Sequence, residues 1–211
     1  MKDRFYFYPS IPRRKIEIIE DRFGDGIDRA RVALKTGVPI KAYFYLSQSK
    51  KKLTDGRLWH KGKMLVGISP RVLKSRTYLH RLSASAAHEY VHQLRDPKAA
   101  KTVLAAAVEE GVATYIETQL FEAPEYLDIK TLNEGMVRVC ADKIRAALFD
   151  KPSNRRMIWS NEAYREMLYR LGFGIIRRYA KDHPKLSLAA LARVPQQKYI
   201  RFAIAGGIIK P

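Results

Sequence analysis

At 211 residues, with 46% hydrophobic and 29% charged side chains, the chain is long and apolar enough to bury a core. That balance excludes a disordered or fibrous class, and no apolar run approaches the ~20 residues of a membrane-spanning helix. Forty Lys and Arg against 21 Asp and Glu leave +19, a field that draws nucleic acid, anionic surfaces or acidic proteins.

The N-terminal residues 1–9 hold no uninterrupted apolar stretch and no small-residue cleavage site, so no signal peptide is expected. The cations that follow are dispersed, in short runs at 12–15, 50–52 and 177–178, and carry no nucleic-acid module signature. Residues 13–36 predict an amphipathic helix or helix pair through Ile16, Ile19, Phe23 and Ile27, interrupted at Gly24-Asp-Gly26 and ended by Gly37-Val-Pro39. The β-branched and aromatic run 40–46 predicts a strand. A basic turn region follows over 47–56, with Asp55-Gly56 as a hairpin signal. A second extended pair covers 57–60 and 64–69, stopped by Pro70.

From Thr77, a plausible N-cap, the texture turns helical, with Leu79, Leu82, Ala86, Tyr90 and Leu94 as an apolar stripe and Asp96-Pro97 as the stop. Further helices are predicted over 101–120, 131–149 and 161–182, with Cys140 as a core filler. A short terminal helix is punctuated by Pro184 and Pro195, and an extended tail runs from 205 to 211. A sheet followed by helices argues for an α+β fold. The single cysteine excludes an internal disulfide and points to a reducing compartment, the cytoplasm.

The chemistry gathers in the helix after Thr77, where His88, Glu89 and His92 spell H-E-x-x-H. Two imidazoles four apart lie on one helical face, ~6 Å apart along the axis, and can reach one zinc ion. Glu89 is placed to take a proton from water at that metal. A catalytic site needs a third protein ligand. Six residues after His92 stands Lys98, which cannot serve, and Asp96 sits at a helix end where capping or turning is its expected role. The next helix offers Glu109 and Glu110.

Here the chain resembles the gluzincins, the zinc peptidases that group thermolysin-like and aminopeptidase N-like enzymes with the compact minigluzincins. Their H-E-x-x-H is followed, after somewhat under twenty residues, by Glu-Gly-x-x-x-Tyr. With seventeen residues separating it from His92, this chain reads Glu110-Gly111-Val-Ala-Thr-Tyr115. The resemblance implies zinc held by His88, His92 and Glu110, with Glu109 as the alternative ligand. Glu134-Gly135 lies too far along, with no Tyr at the right offset. Thr114 stands where thermolysin-like members carry Asp, which leaves open what orients His88. Glu117 is the other carboxylate on that helical face. Tyr169-Arg-Leu-Gly172-Phe173 is similar to the Tyr-x-x-Gly-Phe setting of aminopeptidase N-like members, which implies Tyr169 as the oxyanion donor.

The resemblance covers roughly 64–180 and implies one compact zincin-like domain. Its residues 1–95 would hold the sheet and metal helix, and 96–211 the glutamate helix. It implies a zinc-dependent peptidase acting on peptides or proteins, with 64–69 as the sheet edge along which substrate runs and Gly67 allowing close approach. The Gly-x-Met-Glu-Asn element of aminopeptidases is missing, which favours internal cleavage. Some minigluzincins are kept inactive by a terminal segment, and the Gly206-Gly207 tail after Pro195 would permit the same latency. The rival expectation is a non-catalytic basic protein that binds nucleic acid or another polyanion, with zinc structural or absent.

Overall fold

The structure, a computed structural model, describes residues 3–47, 54–60, 63–74, 76–95, 100–121, 131–149 and 161–210. It divides into two compact units, Met1–Leu94 and Arg95–Pro211. The fold is α+β: a small mixed sheet with helices in the first unit, helices alone among the described residues of the second. No helix among the described residues is long and apolar enough to cross a membrane.

The first unit begins with a strand that the sequence reading passed over, β1 (Arg4–Phe7), ahead of helix α1 (Arg13–Leu34). Strands β2 (Lys41–Leu46), β3 (Thr54–His60) and β4 (Lys63–Ile68) complete a sheet of order β1-β2-β4-β3. β1, β2 and β4 run parallel, while β3 is antiparallel to β4 and forms an edge. Two expectations are corrected here. Asp55-Gly56 lies inside β3, opposite Gly67 and Val66, and is not a turn. The 64–69 segment is an interior strand, because the preceding hairpin strand folds over its outer side; Gly67 makes room for the Tyr45 side chain, whose hydroxyl lies 2.7 Å from where a Cβ would stand.

One face of the sheet is packed. Ala42, Phe44, Met64, Val66 and Ile68 are buried, as are Ile19, Phe23 and Ile27 of α1. Phe5, Phe23 and Phe44 meet edge to face with centroids 5.0–5.9 Å apart, a favourable aromatic geometry. Helix α1 is continuous through Gly24 and Gly26. Gly26 is a crossing point with the next long helix, since a Cβ there would stand 2.0 Å from the Ser83 carbonyl oxygen. The helix ends at Lys35 in the left-handed region (φ 49°), two residues before Gly37.

After the short α2 (Pro70–Lys74) comes α3 (Arg76–Arg95), which carries the two histidines. It starts one residue ahead of Thr77, which therefore belongs to its first turn. α3 is fixed to its unit by two specific bonds besides the Gly26 crossing: the Ser83 hydroxyl donates to Arg22 O at 2.7 Å, and the Tyr90 hydroxyl to Val38 O at 3.0 Å.

The start of β1, the end of α1 and the entry to β2 meet at Asp3. Its carboxylate accepts two bonds of 2.6 Å from Arg31 and one of 3.0 Å from the Ile40 N–H. Burial works against its charge, but the Arg31 and Ile40 bonds outweigh it and hold the carboxyl below its ordinary 3.8. A depressed carboxylate pKa stabilises the fold above the unfolded value and loses that contribution as pH falls through the folded one. Asp3→Asn is therefore expected to cost about 1–2 kcal/mol near neutrality. Urea midpoints of variant and parent should converge as pH drops below 3.8; a constant gap would rule out the linkage.

The second unit is built on α4 (Val103–Leu120), capped by the Thr102 side chain, which accepts from Ala105 N–H. Thirteen of its 18 residues are buried, the mark of a helix enclosed on most sides. Around it come α5 (Glu134–Lys143), α6 (Arg145–Leu148), α7 (Glu162–Asp182), α8 (Leu188–Arg193) and α9 (Gln196–Ala205). The segment expected as one helix over 131–149 breaks at Ile144 (φ −110°, ψ 9°). α7 crosses α4 at backbone distance: a Cβ on Gly172 would meet Ala107 O at 1.9 Å, and one on Gly111 the Gly172 carbonyl carbon at 2.2 Å. Glycine at both positions is a packing requirement.

The segment from Gly206, expected to be extended, instead turns back to close helix α9. α9 packs on α4 and α7, with Tyr199 fully buried and its hydroxyl donating to Leu191 O at 2.7 Å. Ile208 N–H returns to Ala203 O and Gly207 N–H to Ile204 O, with Gly207 at φ 64°. This is a Schellman closure, in which the glycines end a helix.

Candidate metal centre

On α3 the i,i+4 spacing places the imidazoles of His88 and His92 together, 9% and 5% exposed. Their Nε2 atoms lie 3.2 Å apart with ring centroids at 4.9 Å. A tetrahedral ion bound at ~2.05 Å from each nitrogen would set them ~3.3 Å apart, so the pair fits zinc. Glu89, one residue on, is buried at 7% exposure. Ala84, Ala86, Ala87 and Val91 are buried on the same helix. Small side chains there let the helix sit close to its neighbours.

Glu110 stands on α4, half-buried. One ligand atom each from His88, His92 and Glu110 lie within 4.8 Å of one another, a His-His-Glu donor set compatible with zinc. Glu109, the alternative ligand, is committed elsewhere. Arg95 grips it from Nε at 2.7 Å and from NH2 at 2.8 Å, and both side chains are 5% exposed. The remaining guanidinium nitrogen donates to Ala192 O and Val194 O, and the group lies over the Tyr199 ring at 5.9 Å. A lone Arg at a helix end gives no sequence signal of such a buried clamp.

The two later motifs turn out to be one packing unit of the second unit. Gly111 faces Gly172, and Tyr115 meets Phe173 with centroids 5.9 Å apart, Arg177 lying over the Phe173 ring at 5.5 Å. Burial pushes the Tyr115 hydroxyl pKa up, against an opposing pull from Arg177. Tyr169 is half-buried on α7. Thr114 is buried with its hydroxyl unmatched among the described residues, and Glu117 is buried at 6% exposure. Glu134 is exposed and pairs with Arg178. Asp96 and Lys98 lie outside the described residues. Cys140 is buried, as expected of a core filler, and burial raises its thiol pKa. A pocket of about 490 Å³ between α5 and α7, lined by Met136, Val139, Cys140 and Met167, shares no residue with the His-His-Glu set.

No curated protein and no solved structure matches this chain. A family profile does, over residues 24–201, a span that contains the H-E-x-x-H helix, Glu110 and Tyr169. The chain thus belongs to the family described as "Predicted Zn-dependent protease (DUF2268)".

Proposed function

We propose that this protein is a zinc-dependent metallopeptidase of gluzincin type that cleaves peptide bonds, with His88, His92 and Glu110 as the metal ligands. The observation that carries the reading is the convergence of those three donors, with Glu89 beside the first. Family membership supports the coarser statement of a zinc protease. Zinc, when bound, supplies the Lewis acidity that makes water nucleophilic near neutral pH and polarises a carbonyl.

The chain's own residues do the rest. Glu89 accepts the proton of the attacking water and delivers it to the departing amine nitrogen, so that one peptide bond and one water become a carboxylate and an amine. The Tyr169 hydroxyl donates a hydrogen bond to the oxyanion as it develops. The substrate lies along the outer edge of β3, since β4 is interior, and adds its backbone as a further strand.

The test is zinc content by elemental mass spectrometry, followed by hydrolysis of fluorogenic peptides with and without chelator. One zinc per chain and activity restored by added zinc are expected. Glu110→Gln should lower zinc affinity steeply while leaving the circular dichroism spectrum unchanged. Full zinc retention in that variant would remove Glu110 from the ligand set.

A further inference from the structure

The packed face of the sheet accounts for only half of its side chains. Successive residues of a strand point to opposite faces, and register partners share a face. The other face therefore carries Arg4, Lys41 and Lys63 as one cross-strand row. Two residues along, Tyr6, Tyr43 and Leu65 form the next row; Tyr45 and Gly67 follow. Tyr6 and Tyr43 are stacked, with centroids 4.8 Å apart and planes at 11°. Tyr6 is 39% exposed, and Tyr8, beyond the end of β1, is 48% exposed. Tyr45 lies over Gly67, whose missing side chain provides its seat.

The charge is segregated as well. Residues 1–94 hold 20 Lys and Arg against 8 Asp and Glu, a net +12. Five of those acids, Glu17, Glu20, Asp21, Asp25 and Asp28, sit on α1, the helix whose Phe23 packs with Phe44 on the opposite side of the sheet. Asp3 is taken up by Arg31. On the β3 side of this face, Arg57 is the register partner of Leu65 and Asp55 of Gly67, so the one acid in register with these rows stands two rows away from the cations. Arg4, Lys41 and Lys63 have no ion-pair partner among the described residues.

We propose that this open sheet face binds single-stranded nucleic acid, with the Arg4–Lys41–Lys63 row on the phosphates and the tyrosines as stacking platforms for bases. Cations beside a row of flat rings, about 7 Å further along the strands, match a chain that alternates charged backbone and π-faced bases. An acidic peptide or an anionic lipid surface would use the cations and leave the stacked rings without a role. The site lies in the first unit and needs no metal, so it stands or falls separately from peptidase activity.

The experiment is fluorescence anisotropy of labelled oligo(U) and oligo(dT) of about a dozen nucleotides, titrated with the full chain between about 50 and 200 mM salt. A duplex of equal length and phosphatidylserine vesicles serve as competitors. Single strands are expected to bind more tightly than duplex, unchanged by chelator. The triple variant Arg4→Gln, Lys41→Gln, Lys63→Gln should bind at least tenfold more weakly, and its salt slope should flatten by about 2. Tyr6→Leu, exposed and so harmless to folding, should weaken binding about tenfold with the slope unchanged. Parent-like affinity in either variant would overturn the proposal. So would duplex or vesicles competing as well as single strands, because that behaviour belongs to a general cationic surface.

Discussion

Glu89→Gln is expected to retain zinc and the native thermal midpoint and to lose about three orders of magnitude in kcat/KM. The amide has nearly the same volume as the carboxylate, so a side chain only 7% exposed is replaced without a cavity. What disappears is the proton acceptor. Proton transfer by a positioned side chain is worth about 10²–10⁴-fold, and no other carboxylate on α3 can substitute, because Glu89 is the only acid between Arg76 and Arg95. Steady-state kinetics on the same fluorogenic peptide, with zinc measured on the same sample, decide the matter. Turnover within tenfold of the parent would remove Glu89 from the chemistry.

Adjacent carboxylates on α4 should show opposite phenotypes. Glu109→Gln is expected to destabilise the protein by about 3–5 kcal/mol, because it leaves the Arg95 guanidinium buried without its counter-charge. Loss on that scale lowers the thermal midpoint by roughly 10 °C or more. Glu110→Gln should leave the midpoint of the metal-free protein almost untouched and abolish tight zinc binding. Calorimetry of both variants, stripped of metal and then titrated with zinc, separates the roles. If Glu109→Gln melts like the parent, the clamp is not worth what its burial implies. The charge-free double replacement Arg95→Met, Glu109→Leu should recover much of the loss, since swapping a buried pair for apolar groups of similar volume is often near neutral.

How far these assignments were readable beforehand differs from residue to residue. His88 and His92 were legible because helical periodicity is local: four residues apart means one face, whatever the rest of the chain does. The α+β order was legible for the same reason. Periodicity alone does not choose between Glu109 and Glu110, because neighbours in sequence point about 100° apart on a helix and only tertiary placement says which meets Arg95; the preference for Glu110 comes from the Glu-Gly-x-x-x-Tyr resemblance. Gly24-Asp-Gly26 read as a break because glycine disfavours helices; its actual role, admitting the Ser83 backbone, depends on a residue some sixty positions away. The interior position of β4 was hidden because strand order depends on which partners arrive at each side. β1, at four residues, is too short to announce itself by period. Tyr169 and Gly172-Phe173 were picked out as a chemical motif, yet Gly172 and Phe173 have a packing duty of their own against Gly111 and Tyr115.

The Arg95 clamp also sets a clock. Its partners come from far apart along the chain: Glu109 is made early, whereas the Ala192 and Val194 carbonyls follow more than eighty residues later. At ~5–20 residues per second of synthesis, that interval lasts several seconds or more. Throughout it the guanidinium at the end of the metal helix has its carboxylate but lacks two of its acceptors, and α4 lacks the cover of α9. The nascent helical unit is therefore held short of its final packing until the segment around residues 192–205 has emerged. A growing chain of this kind matures late, after most of its sequence is already out.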